Sequence, residues 1–172
     1  MEALSPLVHR DLLLAVANVA AAFVGFSMVV GLLKTEVSAS DLRFHTIRDV
    51  AEIGLIVIGA GLFPLTVYAY GVTPGTVWRL SSLLMTLAWL ISFIFAQIRF
   101  RQAGSVALLD RNPVWAVMAL GIVVAGNGLL WWNVATSGPL AGARYITSLL
   151  LLLTIAGVMF INATFRKGHG ER

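Results

Sequence analysis

The chain has 172 residues, of which 59% are hydrophobic and 12% are charged, and its mean hydropathy is +0.89. Soluble domains carry about 25% charged residues, so this composition indicates an integral membrane protein and excludes an ordinary soluble domain. The chain has no cysteine, which excludes disulfides, thiolate metal sites and cysteine nucleophiles. The net charge is +4, but the basic residues are spread between apolar segments, which is typical of membrane topology and not of nucleic-acid binding.

Five uncharged apolar segments are long enough to cross the hydrocarbon core of a bilayer, which takes about 20 helical residues. They predict transmembrane helices at about residues 12–33, 53–71, 80–98, 114–134 and 145–165. The first segment lacks a small-residue cleavage site, so we expect a retained helix and not a removed signal peptide. We therefore predict an all-α integral membrane protein, with residues 1–172 forming a single transmembrane domain.

The basic residues predict how the chain is oriented. Of the 12 Lys and Arg residues, nine fall on alternate connecting segments and three on the others. Cytoplasmic segments collect positive charge, so we expect the N-terminus outside, the C-terminus inside and a multi-pass location in a plasma or inner membrane. An aromatic belt at the outer interface would then be formed by Tyr68, Tyr70, Trp78, Trp131, Trp132 and Tyr145.

The sequence also matches itself at a fixed offset. Residues 53–101 align without a gap on residues 118–166, an offset of 65 positions. Matched pairs include Gly61 with Gly126, Pro74 with Pro139, Arg79 with Arg144 and Phe95 with Phe160. The match predicts that helices 2 and 3 and helices 4 and 5 are a duplicated hairpin of the same topology, with helix 1 outside the pair.

Small residues and amides within the apolar segments predict helix contacts. Glycine allows two membrane helices to approach closely, and the residues expected to pack helices or to line a pore are Gly54, Gly59, Gly61, Pro64, Gly121 and Gly126. Pro64 is also expected to kink helix 2. Asn18 and Asn127 are predicted to be buried at similar depth and to form interhelical hydrogen bonds, the alternative being a polar lining of an aqueous path.

A charged segment, about residues 40–52, precedes helix 2 and is predicted to extend that helix into the cytoplasm. Its polar side carries Asp41, His45, Arg48, Asp49 and Glu52. Their i, i+4 spacing is typical of an exposed, internally paired helix face. Two functional interpretations stay open. One is a divalent cation held by two of the three residues Asp41, His45 and Asp49, with help from Asp110. The other is a vestibule or docking face, since the second repeat lacks this set of charges.

Catalysis is not expected. The three histidines, His9, His45 and His169, lie outside the apolar segments, which excludes buried haem ligation and an intramembrane serine–histidine dyad. We expect no catalytic residue, no cofactor and no nucleic-acid partner, and we assign no metal site. An interfacial lipid enzyme stays open as an alternative, with the residues Asp41, His45, Asp49 and Glu52. The absence of charge within the apolar segments also argues against an ion-coupled pump.

Two classes of function therefore remain. The first is a non-enzymatic homo-oligomeric channel or transport element in the lipid bilayer, with helix 2 lining the path. The second is an accessory or scaffold membrane subunit that docks a protein partner through the cytoplasmic 40–52 extension.

Overall fold

The computed structural model is all-helical and describes residues 4–33, 42–102, 113–136 and 138–165. A short 3-10 helix, Pro6–His9, leads into the first long helix. The long helices are α1 (Arg10–Leu33), α2 (Leu42–Ala69), α3 (Pro74–Gln102), α4 (Pro113–Ala135) and α5 (Ala141–Phe165). Each of the five predicted helices corresponds to one of them, and α2 includes most of the predicted extension.

Two helices begin earlier than the sequence predicted. We placed the starts of α3 and α5 after Arg79 and Arg144, but both arginines lie inside their helices. Local geometry determines the start of α3, where the Thr73 carbonyl accepts a hydrogen bond from Val77 N at 3.0 Å and Pro74 is the first residue. Proline suits that position because its missing N–H has no helical partner there.

The helices have the length and composition of a membrane protein. Four apolar stretches, Pro6–Leu32, Ile47–Ala69, Pro74–Ala96 and Ala141–Ile161, are long and apolar enough to cross a membrane. In α4, the apolar stretch among the described residues, Leu120–Ala135, is shorter. On α3, the exposed surface is rich in large apolar side chains such as Leu84, Leu87 and Ile91, an arrangement suited to lipid and not to water.

Packing centres on α2, which contacts α1, α3 and α5, while α4 packs between α3 and α5. The shared core includes Leu13 of α1, Val57 of α2, Met85 of α3, Leu130 of α4 and Leu149 of α5. All five of these side chains are buried. α5 contacts all four other long helices, so the residues of α2 and α5 together determine much of the internal arrangement.

Candidate functional site

The charged start of α2 contains one ion pair that the sequence predicted. Arg48 Nε donates a hydrogen bond to Glu52 Oε1 at 3.1 Å, one helical turn away. The Arg48 side chain is 56% exposed and that of Glu52 is 29% exposed. Such an i, i+4 pair contributes only a few tenths of a kcal/mol, so the exposed Arg48 guanidinium can exchange this contact for another at little cost in stability.

Asp49 lies between these two residues in the sequence and was expected on the exposed face of the helix, but it is buried. It is only 5% exposed, and Ile47 and Val50 beside it are also buried. Asp49 takes part in a polar or electrostatic interaction, as a buried carboxylate must. The start of α2 is therefore packed onto the protein on one side and exposes charge on the other.

The remaining members of the predicted charged face fall partly outside the structure. Asp41 and Asp110 lie outside the described residues, and only the helical backbone of His45 is described. Within the part of the chain that the structure describes, no group of three or more His, Cys, Asp or Glu residues is placed to hold a metal ion. The cation interpretation therefore has no described ligand set.

Two of the predicted packing glycines lie where α1 crosses α2. A Cβ added at Gly54 would lie 2.6 Å from Val24 Cγ2, and one at Gly61 would lie 3.1 Å from the Leu13 carbonyl oxygen and 3.2 Å from Ala17 Cβ. Real Cβ atoms do not approach so closely without movement, so these glycines allow the two backbones to come together.

The other predicted small residues have different surroundings. Gly59 and Gly121 are exposed, and an added Cβ at either would have nothing within 4 Å. At Gly126 the nearest atom would be Leu151 Cδ1 at 3.9 Å, an ordinary contact. Pro64 is fully buried within α2.

The two predicted buried amides also differ from expectation. Asn18 is exposed, because it lies off the buried stripe of α1 that includes Leu13, Ala17 and Ala20. Asn127 is half-buried and donates from Nδ2 to the Val123 carbonyl of its own helix at 3.0 Å. It borders a small cavity of about 10 Å³ between α3, α4 and α5, which has room for about one water molecule.

A polar and aromatic cluster that we did not predict lies where α1, α3 and α5 begin. We call Leu4, His9, Trp78 and Tyr145 the end cluster. Trp78 Nε1 donates to the Leu4 carbonyl at 2.8 Å, the His9 ring meets Trp78 edge-on at 5.9 Å, and the Trp78 and Tyr145 rings are 5.6 Å apart. Trp78 and Tyr145 are fully buried, so they are core residues and not part of an outer aromatic belt.

Asn133 closes the connection between α4 and α5 next to this cluster. It is fully buried, and its Nδ2 donates to the Ala141 carbonyl at 2.8 Å. Gly142 follows, and its missing side chain leaves room for the His9 ring and for Trp78 Cζ2, which lies 2.9 Å from where a Cβ would be. The sequence did contain a signal for this contact, namely an asparagine in the last turn of α4 and a glycine in the first turn of α5.

The core of the bundle is mainly apolar, with a few buried polar groups. The side chains shared by the five helices include many buried apolar residues, and Asn133 and Ser148 donate to backbone carbonyls. Other buried polar atoms, such as Asn133 Oδ1 and Ser82 Oγ, have no hydrogen-bond partner among the described residues. No family model matches this chain, and no curated protein or solved structure is detectably similar to it.

Proposed function

We propose that this protein is a small, non-enzymatic, multi-pass membrane protein that acts as an accessory or scaffold subunit. In this proposal it crosses the membrane five times with its N-terminus outside, and it docks a protein partner through the cytoplasmic start of α2. The observation that carries the proposal is that this segment packs against the rest of the protein on one side and exposes charge on the other. Ile47, Asp49 and Val50 are buried, while Arg48 is exposed and forms an ion pair with the partly exposed Glu52, one turn further along the helix.

A charged surface on an ordered helix that is anchored by buried residues is suited to docking for a physical reason. A partner that binds a flexible segment must order it, and each immobilised long side chain costs about 0.5–1.5 kcal/mol. Here the backbone is already helical and anchored by buried neighbours, so much of that cost falls on folding and not on association. Exposed charges also select partners of complementary charge.

The channel or transport alternative is supported by a different surface of α2. Leu55, Gly59, Leu62 and Thr66 follow one another at helical spacing and are all exposed. If several copies brought this strip together, it would form an apolar constriction of the kind that gates by dewetting. We rank this second because the core that the five helices share is mainly apolar, so we expect any path to lie between copies.

A charge-swap variant tests the docking role. Arg48→Glu with Glu52→Arg keeps an i, i+4 ion pair but reverses the surface charge, so folding should be unchanged. The full-length protein is cross-linked in cells, purified in mild detergent and weighed by native mass spectrometry. We expect one defined partner with the unaltered chain, loss of that partner in the swap, and its retention in the control Arg10→Ala. A homo-oligomer without a partner would overturn docking in favour of the channel.

The cytoplasmic placement of this surface is tested separately. The chain has no cysteine, so single cysteines can be introduced at Gly138 and Gly168 without interference. With the proposed orientation, an impermeant thiol reagent applied to intact cells labels the cysteine at position 138 and not the one at position 168. The reverse labelling pattern would place the start of α2 outside and remove the cytoplasmic docking role.

A further inference from the structure

The middle of α2 is weak as a helix because of its own residues. Gly59 and Gly61 have low helix propensity, and Pro64 has no backbone N–H to donate. The carbonyl of Ala60, four residues before Pro64, therefore loses its helical hydrogen bond. Within a bilayer water is not present to replace that bond, so another group of the protein must supply the donor.

Tyr145 supplies this donor from α5. Its hydroxyl donates to the Ala60 carbonyl oxygen at 2.8 Å, across 85 positions of the sequence. Tyr145 and Pro64 are both fully buried, and Ala60 is buried as well. The bond therefore lies inside the bundle, and it ends on the carbonyl that the proline leaves without a helical donor.

We propose that Tyr145 is a latch on a hinge at Pro64. While the hydroxyl bonds to Ala60, the two halves of α2 keep one relative direction. When the bond is broken, the segment from Gly61 to Ala69 bends relative to the first half of the helix, because no hydrogen bond replaces the one that proline removes. Tyr145 is a positioning residue, since it acts through the backbone of α2, and the latch does not depend on the docking role.

Tyr145 is held in place by Trp78 and by residues of the N-terminal turn. The Trp78 ring packs on Tyr145 at 5.6 Å, and the Trp78 indole N–H is held by the Leu4 carbonyl. The 3-10 helix Pro6–His9 places the His9 ring edge-on to Trp78 at 5.9 Å. A conformational change at the N-terminal turn would therefore reach Tyr145 through one side chain, that of Trp78. If that change broke the bond from Tyr145 to Ala60, the two halves of α2 could change their relative direction.

Distance measurement between two spin labels tests the hinge. Cysteines at Leu55 and Ala69, both exposed, flank Pro64 in a chain without native cysteine. They should be about 21 Å apart along a straight helix at about 1.5 Å per residue. We expect one narrow distance distribution for the otherwise unaltered chain and a broader distribution with shorter distances for Tyr145→Phe. Tyr70→Phe, which removes an exposed hydroxyl, is the matched control and should leave the distribution narrow.

Pro64→Ala distinguishes the latch from a purely structural hydrogen bond. This substitution restores a backbone N–H that bonds to the Ala60 carbonyl, so Tyr145→Phe in the Pro64→Ala background should leave the distribution narrow. Broadening of the same size with and without Pro64 would overturn the proposal, as would an unchanged distribution in Tyr145→Phe alone. If Tyr145→Phe yields no folded protein, rescue of folding by Pro64→Ala supports the latch, and failure of that rescue overturns it.

Discussion

The helices α2 and α4 are the counterparts of the predicted repeat, yet their glycines serve different contacts. Gly54 and Gly61 of α2 lie against the backbone and side chains of α1, where an added Cβ would collide. In α4, an added Cβ at Gly121 or Gly128 would have nothing within 4 Å. The packing of α1, the helix outside the predicted repeat, is therefore what requires glycine at positions 54 and 61 of α2.

The reason lies in what drives helices together in lipid. Lipid chains are as apolar as leucine, so association depends on close packing instead of on escape from water. Gly61 of α2 lies against Ala17 and the Leu13 carbonyl of α1, and Gly54 lies against Val24 and the Ala20 carbonyl. The two glycines therefore leave room for the α1 backbone and for the Val24 side chain at this crossing. Where α4 meets α5, Gly126 faces the flexible Leu151 side chain at 3.9 Å, and the fit is less demanding.

The largest effect is expected from Gly61→Leu. Overpacking costs about 1–3 kcal/mol in well-packed interiors, and here one obstructing atom is the Leu13 backbone oxygen, which cannot turn away. We expect loss of monodisperse protein in detergent, measured by size-exclusion chromatography and thermal unfolding. Gly128→Leu is the matched control and should behave like the unaltered protein. Equal damage from both would remove the contrast between α2 and α4.

Asp49→Ala should have the next largest effect, because Asp49 is a buried carboxylate that takes part in a polar or electrostatic interaction. The offset of 65 positions leads from Asp49, just before the predicted repeat, to the apolar Val114 at the start of α4. Loss of a polar interaction at a buried position costs about 1–3 kcal/mol. Glu52→Ala, on the more exposed neighbour, is the control and should cost much less. Thermal unfolding of both variants in one detergent gives the comparison, and equal losses would contradict the anchoring of this segment.

Gly126→Leu should cost less than Gly61→Leu, although the fixed offset of 65 positions led us to expect similar disruption at both glycines. The atoms that a Cβ would meet belong to a single leucine side chain, which can adopt another rotamer. We expect a loss of about 1 kcal/mol, at the low end for overpacking. Damage equal to that of Gly61→Leu would show equivalent packing in the two hairpins and would strengthen the predicted duplication.

The sequence predicted what depends on local composition. The five long helices were predicted from the length of the apolar segments, and the Arg48–Glu52 ion pair was predicted from the i, i+4 spacing of the two residues within one helix. Burial of Asp49, exposure of Asn18 and burial of Trp78 were not predicted, because each depends on which side of its helix meets another helix. The hydrogen bond from Tyr145 to Ala60 was also missed, although Pro64 signalled that the Ala60 carbonyl needs an outside donor.

The smallest effect on stability is expected from Arg48→Ala, and this small size makes the variant informative. Arg48 is more than half exposed and its ion pair joins two residues of one helix, so its loss should cost no more than about 0.5 kcal/mol. Salt screens exposed charges, and the difference from the unaltered protein should therefore shrink further in about 1 M NaCl. Thermal unfolding at low and high salt measures both effects. A large, salt-independent loss of stability would mean that Arg48 supports the fold. The start of α2 would then have a second structural charge beside Asp49, and the contrast with α4 would not rest on an exposed charged surface.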